Sequence, residues 1–250
     1  MKSLVASHPE MAEELPLVHT SRCERFLEIA ATSSLEPHAC DLFNESLTYL
    51  FYGRPAYRGG RNASPGEGLP LCPVCFVFKP RTVSRAVHRV YPCDSGAVAT
   101  DRFAPHVTAS DLYGLALEPQ IESARRAVSL LFEHNASYFV GKAVTGKTFP
   151  VDSLEARFYS LLVQSGPVDY DDRKSAIEVQ VSRTIQLTDQ LLFVVLPREF
   201  LEEAGIRNVI LNVWNCDPVP YPTFSGDTPS AYYSIVRDRV TQRFRDATRI

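Results

Sequence analysis

The sequence predicts a single mixed α+β domain. Short β-branched runs with period-two alternation, "AVHRVYP" and "SAIEVQVSRTI" among them, are interspersed with stretches whose apolar residues recur at helical spacing. No internal repeat points to a solenoid or a propeller. With 250 residues, 45% hydrophobic and 22% charged, the chain is long enough to bury one good core.

The elements follow in order. After a polar leader, "LPLVHTS" reads as a short strand carrying His19. The next stretch, "SRCERFLEIAATSSL", reads as a helix with Ser21 as N-cap and Glu24 as its capping-box partner. "CDLFNESLTYLFYG" is expected to form a second short helix ending near Gly53, and "GGRNASPGEGLP" a loop. "LCPVCFVF" and "AVHRVYP" are expected strands, with "CDSGAVAT" as a turn. The clearest helix is "EPQIESARRAVSLLFEHN", with Glu122 in its first turn and His134 at its end as a dipole partner. A further helix, "SLEARFYSLLVQSG", stops at Gly166. The last third holds three strand-like runs, "SAIEVQVSRTI", "QLLFVVLP" and "RNVILNVWNC", and a basic tail helix. The domain is therefore expected to span 1–250, with a helical insertion around 110–165 and a C-terminal helix around 230–250.

A formal net charge of −3 supplies no global basic field, so contact with nucleic acid would need a local patch such as "KPRTVSRAVHR" or "RDRVTQRFRDATR". The first residues lack the apolar run of a signal peptide, and no stretch approaches the roughly 18 apolar residues of a membrane span. The expectation is a cytoplasmic protein. Its six cysteines are too sparse for a disulfide scaffold and read as buried thiols.

Four stretches could carry chemistry. "GKAVTGKT", Gly141 to Thr148, fits the Walker A pattern, and "VILNVWNCD" imitates a Walker B strand ending in Asp217. A P-loop nucleotide-binding protein using Lys147 and Thr148 is therefore an alternative, although Phe149 and Pro150 interrupt the helix such a loop requires. Cys72, Cys75, His88 and Cys93 have the right types for zinc, giving a second alternative, a non-catalytic zinc-binding interaction module. "CPVC" lies inside an apolar run, so buried thiols are expected and no metal. "YLFYGRPAYR" gathers Tyr49, Tyr52, Tyr57 and Arg54 at a break in regular structure, either as a binding loop or as an aromatic-capped turn. Finally, strand alternation separates Glu178 and Gln180 from Ile177, Val179 and Val181, making either a solvated edge or the floor of a site.

Taken in order, "LVHTSRCERFLEIAATSSL", "YLFYGRPAYR" and "SAIEVQVSRTIQLTDQLLFVVLP" resemble the corresponding segments of ADP-ribosyltransferases, particularly the DarT-like branch. The resemblance covers about a third of the chain and departs from the pattern over 98–170 and in the tail. It implies a split mixed/antiparallel sheet with flanking helices, and NAD⁺ as substrate. It also implies that Glu178 binds the nicotinamide-ribose hydroxyl and stabilises the oxocarbenium-like state, with Gln180 beside it. His19 and Thr20 would hold the NAD ribose, Tyr49, Tyr52 or Tyr57 would wall the nicotinamide, and Arg54 would hold a phosphate or orient the dinucleotide. The implied activity is transfer of ADP-ribose to a nucleic acid or protein, or hydrolysis of NAD⁺ where no acceptor is present. A toxin or phage-defence role, with an antitoxin or regulatory partner, belongs to the same resemblance.

Overall fold

The computed structural model describes residues 1–10, 13–56, 68–165, 172–224 and 226–247. A short helix α1 (Lys2–Ala6) precedes strand β1 (Leu17–Arg22), helix α2 (Cys23–Thr32) and three strands, β2 (Ser34–Leu35), β3 (His38–Cys40) and β4 (Glu45–Tyr52). Next come β5 (Pro73–Phe78), β6 (Val87–Tyr91) and α3 (Ser95–Ala99). The stretch expected to be helical holds α4 (Leu112–Leu115), α5 (Ile121–Phe132), α6 (Asn135–Phe139) and α7 (Leu154–Gln164). The last part runs β7 (Glu178–Val181), β8 (Ile185–Gln186), β9 (Leu191–Pro197), α8 (Glu199–Glu202), α9 (Ala204–Asn208), β10 (Asp217–Tyr221) and α10 (Tyr232–Asp246).

The result is a mixed α/β fold on a mixed sheet. Its strand order is β10-β9-β5-β1-β4-β7-β6, with β3 joined to β4, while β2 and β8 form a separate pair. Only β9 and β10 pair in parallel among these contacts. The central strand β5, "PVCFVF", is buried along its whole length, which explains its unbroken apolar run. On one face Phe76 meets Phe26 of α2 at 6.1 Å, and Trp214 closes on both rings at 6.0 and 5.9 Å. On the other face, Phe244 of α10 packs against Phe193 of β9. Among the described residues, no helix is long and apolar enough to cross a membrane.

Several local expectations are corrected. "CDLFNESLTYLFYG" contains β3 and β4 rather than a helix. Its apolar residues are wanted on both faces of a sheet, Leu47, Leu50, Phe51 and Tyr52 all being buried, and β-branched and aromatic side chains suit that setting. "RNVILNVWNC" is helical, α9 continuing into a π-helical turn over Val209–Val213. There Ile210 and Trp214 point inward four positions apart while Leu211 and Val213 are exposed, so the period that matters is the helical one. "CDSGAVAT" is helix α3, whose N-cap Asp94 accepts from Ala97 N at 2.7 Å. Ser21 is not an N-cap: β1 continues to Arg22, which pairs with Pro73, and α2 starts at Cys23 with no side-chain cap.

Candidate functional site

Glu178 opens β7 and is 1% exposed, beside Gln180, which is fully buried. Both point to one face because alternation separates them from Val179 and Val181. Three donors converge on the Glu178 carboxylate. Ser95 N donates to Oε2 at 3.1 Å, Ser95 Oγ to Oε1 at 2.7 Å, and Gln180 Nε2 to Oε1 at 2.7 Å. Gln180 Nε2 also reaches Ser95 Oγ at 3.2 Å, closing a three-residue cluster. Arg89 Nη1 donates to Gln180 Oε1 at 3.4 Å, and its guanidinium lies 4.6 Å over Phe43 and pairs with Glu45. The cluster is thus braced from β6 and from the turn before β4.

These donors suit an ionised carboxylate, yet the surroundings oppose the charge. Burial, and then the nearby Asp94, raise the Glu178 carboxyl from an ordinary 4.5 to about 8, against the hydrogen bonds from Ser95 and Gln180, which lower it. Between these two values the folded chain binds more protons than the unfolded chain, so stability falls as pH rises across the window. The slope from one such group is at most about 1.4 kcal/mol per pH unit. Glu178→Gln is expected to flatten that fall, as read from urea midpoints between pH 5 and pH 8; an unchanged slope would place the proton elsewhere.

The sheet opens beside this cluster. β1 and β4 pair at Leu17↔Tyr52 and Val18↔Phe51 and then part. β1 stays on β5 as far as Arg22, and β4 stays on β7 as far as Thr48. His19 bridges the parting: its Nδ1 lies 2.8 Å from the Tyr49 carbonyl oxygen. A carbonyl can only accept, so Nδ1 carries the proton, and burial, which lowers the His19 pKa, keeps the ring neutral. Nε2 is then left as a lone-pair acceptor. Of two buried hydroxyls on the parted strands, Thr20 Oγ1 meets the Cys75 thiol of β5, while Thr48 Oγ1 has no hydrogen-bond partner among the described residues. A buried hydroxyl left unpaired beside a split, as Thr48 Oγ1 is, is where a polyhydroxylated ligand could be gripped.

No family model matches this chain, and no curated protein matches it. What the site can do is therefore argued from its own groups. Register places Val18, Phe51, Glu178 and Tyr91 on one face, with Tyr49, Gln180 and Arg89 next along it. Tyr49 is half-buried there and its hydroxyl donates to Cys40 Sγ at 2.8 Å. Thr20 alternates to this face, whereas His19 alternates to the other, with its ring 6.1 Å from Phe76. His19 therefore joins the site through the split, not across a shared face.

Tyr52 and Arg54 are placed elsewhere. Tyr52 is fully buried on the His19 side, its hydroxyl accepting from Leu15 N at 2.9 Å. Arg54 is 2% exposed and donates through Nη1 to Ser175 O and Oγ at 3.1 and 2.5 Å, with Tyr138 beneath it. Gly53, at φ +69°, turns the chain where a Cβ would stand 2.6 Å from Leu15 Cδ1. The aromatic stretch thus closes a packed corner, with Tyr49 and Phe51 on the face of the acid and Tyr52 on the other; Tyr57 lies outside the described residues.

The P-loop alternative loses its structural context. Gly141–Thr148 follows helix α6, not a strand, and no helix begins until Leu154. Lys147 Nζ donates to the Leu130 carbonyl at 2.8 Å, serving the end of α5. Asp217 opens a strand that follows a helical turn, so it ends no Walker B strand. Gly141 is there for packing: at φ +71°, its Cβ would sit 3.1 Å from Ser175 Oγ and 3.3 Å from Arg54 Nη1. Gly141→Ala is expected to cost about 1–2 kcal/mol in urea unfolding. As for zinc, Cys72, Cys75 and Cys93 are buried, His88 pairs with Glu45 at 2.7 Å, and no three His, Cys, Asp or Glu converge among the described residues.

Sequence reasoning missed Ser95, Asp94 and Arg89. The signal available was "CDSG", an Asp-Ser pair suited to a helix start as well as to a turn.

Proposed function

We propose that the protein is an NAD⁺-consuming ADP-ribosyltransferase. The observation that carries this is the buried Glu178 carboxyl, oriented by Ser95 and Gln180 on the face that Tyr49 shares, one strand away from a split that His19 bridges. The sheet that parts between β1 and β4 supports the finer reading of an ADP-ribosyltransferase-like fold.

The chemistry fits these groups. The bond between nicotinamide nitrogen and ribose carbon breaks with its electron pair leaving on nicotinamide, and positive charge gathers on the ribose. A carboxylate fixed in a water-poor setting stabilises that charge and accepts a hydrogen bond from a ribose hydroxyl. Glu178 takes this role once it has lost its proton, a loss that the cationic nicotinamide ring of NAD⁺ favours. The half-buried Tyr49 ring offers a flat face to the leaving group, and His19 Nε2 and, beside the Cys75 thiol, Thr20 Oγ1 offer polar contacts to ribose hydroxyls. A nucleophile on a nucleic acid or protein then takes the ADP-ribose; where none is present, water does. An effector of the toxin or phage-defence kind, held in check by an antitoxin, follows from the same reading.

The test is nicotinamide release from NAD⁺ by the wild-type protein and by Glu178→Gln. Release lowered by about 10²-fold or more by the substitution, with the fold intact by circular dichroism, supports the proposal. Equal release by both proteins, or none by the wild type with acceptors supplied, overturns it.

A further inference from the structure

Glu178 cannot orient itself, because a side chain at the start of a strand keeps rotameric freedom unless neighbours remove it. The residue that removes it stands on a different element. Ser95 opens α3, is fully buried, and contacts both carboxylate oxygens, one through its backbone N–H and the other through its hydroxyl. The same hydroxyl accepts from Gln180 Nε2, so each of the three side chains fixes the rotation of the others. α3 is itself anchored on both sides. Asp94 caps it through Ala97 N and holds Arg173 at 3.2 Å, while Asp94 N donates to the Arg173 carbonyl.

We infer that Ser95 is a positioning residue for the reaction, its hydroxyl holding the Glu178 carboxylate in the orientation that faces the ribose. This rests on the functional reading above. The geometry also singles out the hydroxyl from the backbone: with alanine in place of Ser95, the backbone N–H would remain on Oε2 while Oε1 kept only Gln180.

The other charged or titratable groups around the acid set the background. They are Asp94 with its partner Arg173 on the α3 side, Arg89 acting through Gln180 on the β6 side, the Tyr49 and Tyr91 hydroxyls on the flanking strands, and the Cys93 thiol. Asp94 and burial push the carboxyl towards its neutral form, and the Ser95 hydrogen bonds oppose them. Removing the hydroxyl therefore moves the Glu178 titration to higher pH.

The experiment follows nicotinamide release against pH for wild type, Ser95→Ala and Ser95→Thr, with the pH dependence of urea stability measured alongside in both the Glu178 and Glu178→Gln backgrounds. Ser95→Ala is expected to lower kcat about 10- to 100-fold with KM changed less than about 3-fold. Its pH–rate midpoint should rise, and Ser95→Thr, which keeps a hydroxyl, should restore most of the rate. The stability window should move upward in Ser95→Ala and not when Glu178 is already Gln. An active wild type whose rate and midpoint are untouched by Ser95→Ala overturns this inference and leaves the proposed function standing. A wild type that releases no nicotinamide overturns the proposed function, and the catalytic role of Ser95 falls with it. Rate loss in Ser95→Ala with no change of midpoint and no rescue by threonine also counts against it, since that is the signature of a merely structural serine.

Discussion

Glu178→Gln is expected to lower kcat/KM for nicotinamide release by about 10²- to 10³-fold, the usual cost of removing one preorganised charge-stabilising group. Glutamine keeps the volume and one acceptor oxygen, so the loss reports charge, not packing. The wild-type profile should also rise with pH and level off above about 8, because the free enzyme holds the carboxyl protonated below that value and the reaction needs it ionised. The variant should show a flat profile over the same range. A wild-type rate that falls through this pH range would mean that the protonated acid is the working form, and would remove charge stabilisation by Glu178 from the mechanism.

Arg54→Ala is expected to destabilise the fold by about 3 kcal/mol, since it strands buried acceptors at Ser175 and opens a gap above Tyr138. For a domain of this length that corresponds to a fall in melting temperature of roughly 6–12 °C. Arg54→Lys should recover only part of it, because a single ammonium cannot reproduce a planar fork of donors. The KM for NAD⁺ of folded Arg54→Lys should stay near that of wild type, since the guanidinium is buried against Ser175. A KM raised tenfold with stability unchanged would return Arg54 to the ligand and take it out of the frame.

The acid–amide pair and the aromatic stretch differ in how far local pattern places them, and the reason is periodicity. The alternation of "IEVQV" is a local property, so the placement of Glu178 and Gln180 together on one strand face was legible in the sequence and is seen in β7. "YLFYGRPAYR" mixes a strand end with a left-handed turn, and local pattern does not tell which ring faces out. Pairing decides it: Tyr49 lies opposite Gln180, while Tyr52 lies opposite Leu17 and is sealed beneath Leu15 and Tyr138. The helical spacing of "CDLFNESLTYLFYG" misled for a related reason, since a strand buried on both faces has no polar side to mark its period.

By itself the sequence determined the α and β mixture, the strands that carry His19 and Glu178, the long α5, α7 and α10 helices, and the acid–amide pair. Only the tertiary structure decided what surrounds that pair. The hydrogen bonds from Ser95 to Glu178 span 83 positions and that from Arg89 to Gln180 spans 91. The parting of β1 from β4, which leaves His19 reaching for the Tyr49 carbonyl, depends likewise on which strands neighbour which. Side-chain period is set by adjacent residues along the backbone, whereas the acidity and orientation of a buried carboxyl are set by groups that chain folding brings within about 3 Å, and no local pattern encodes those.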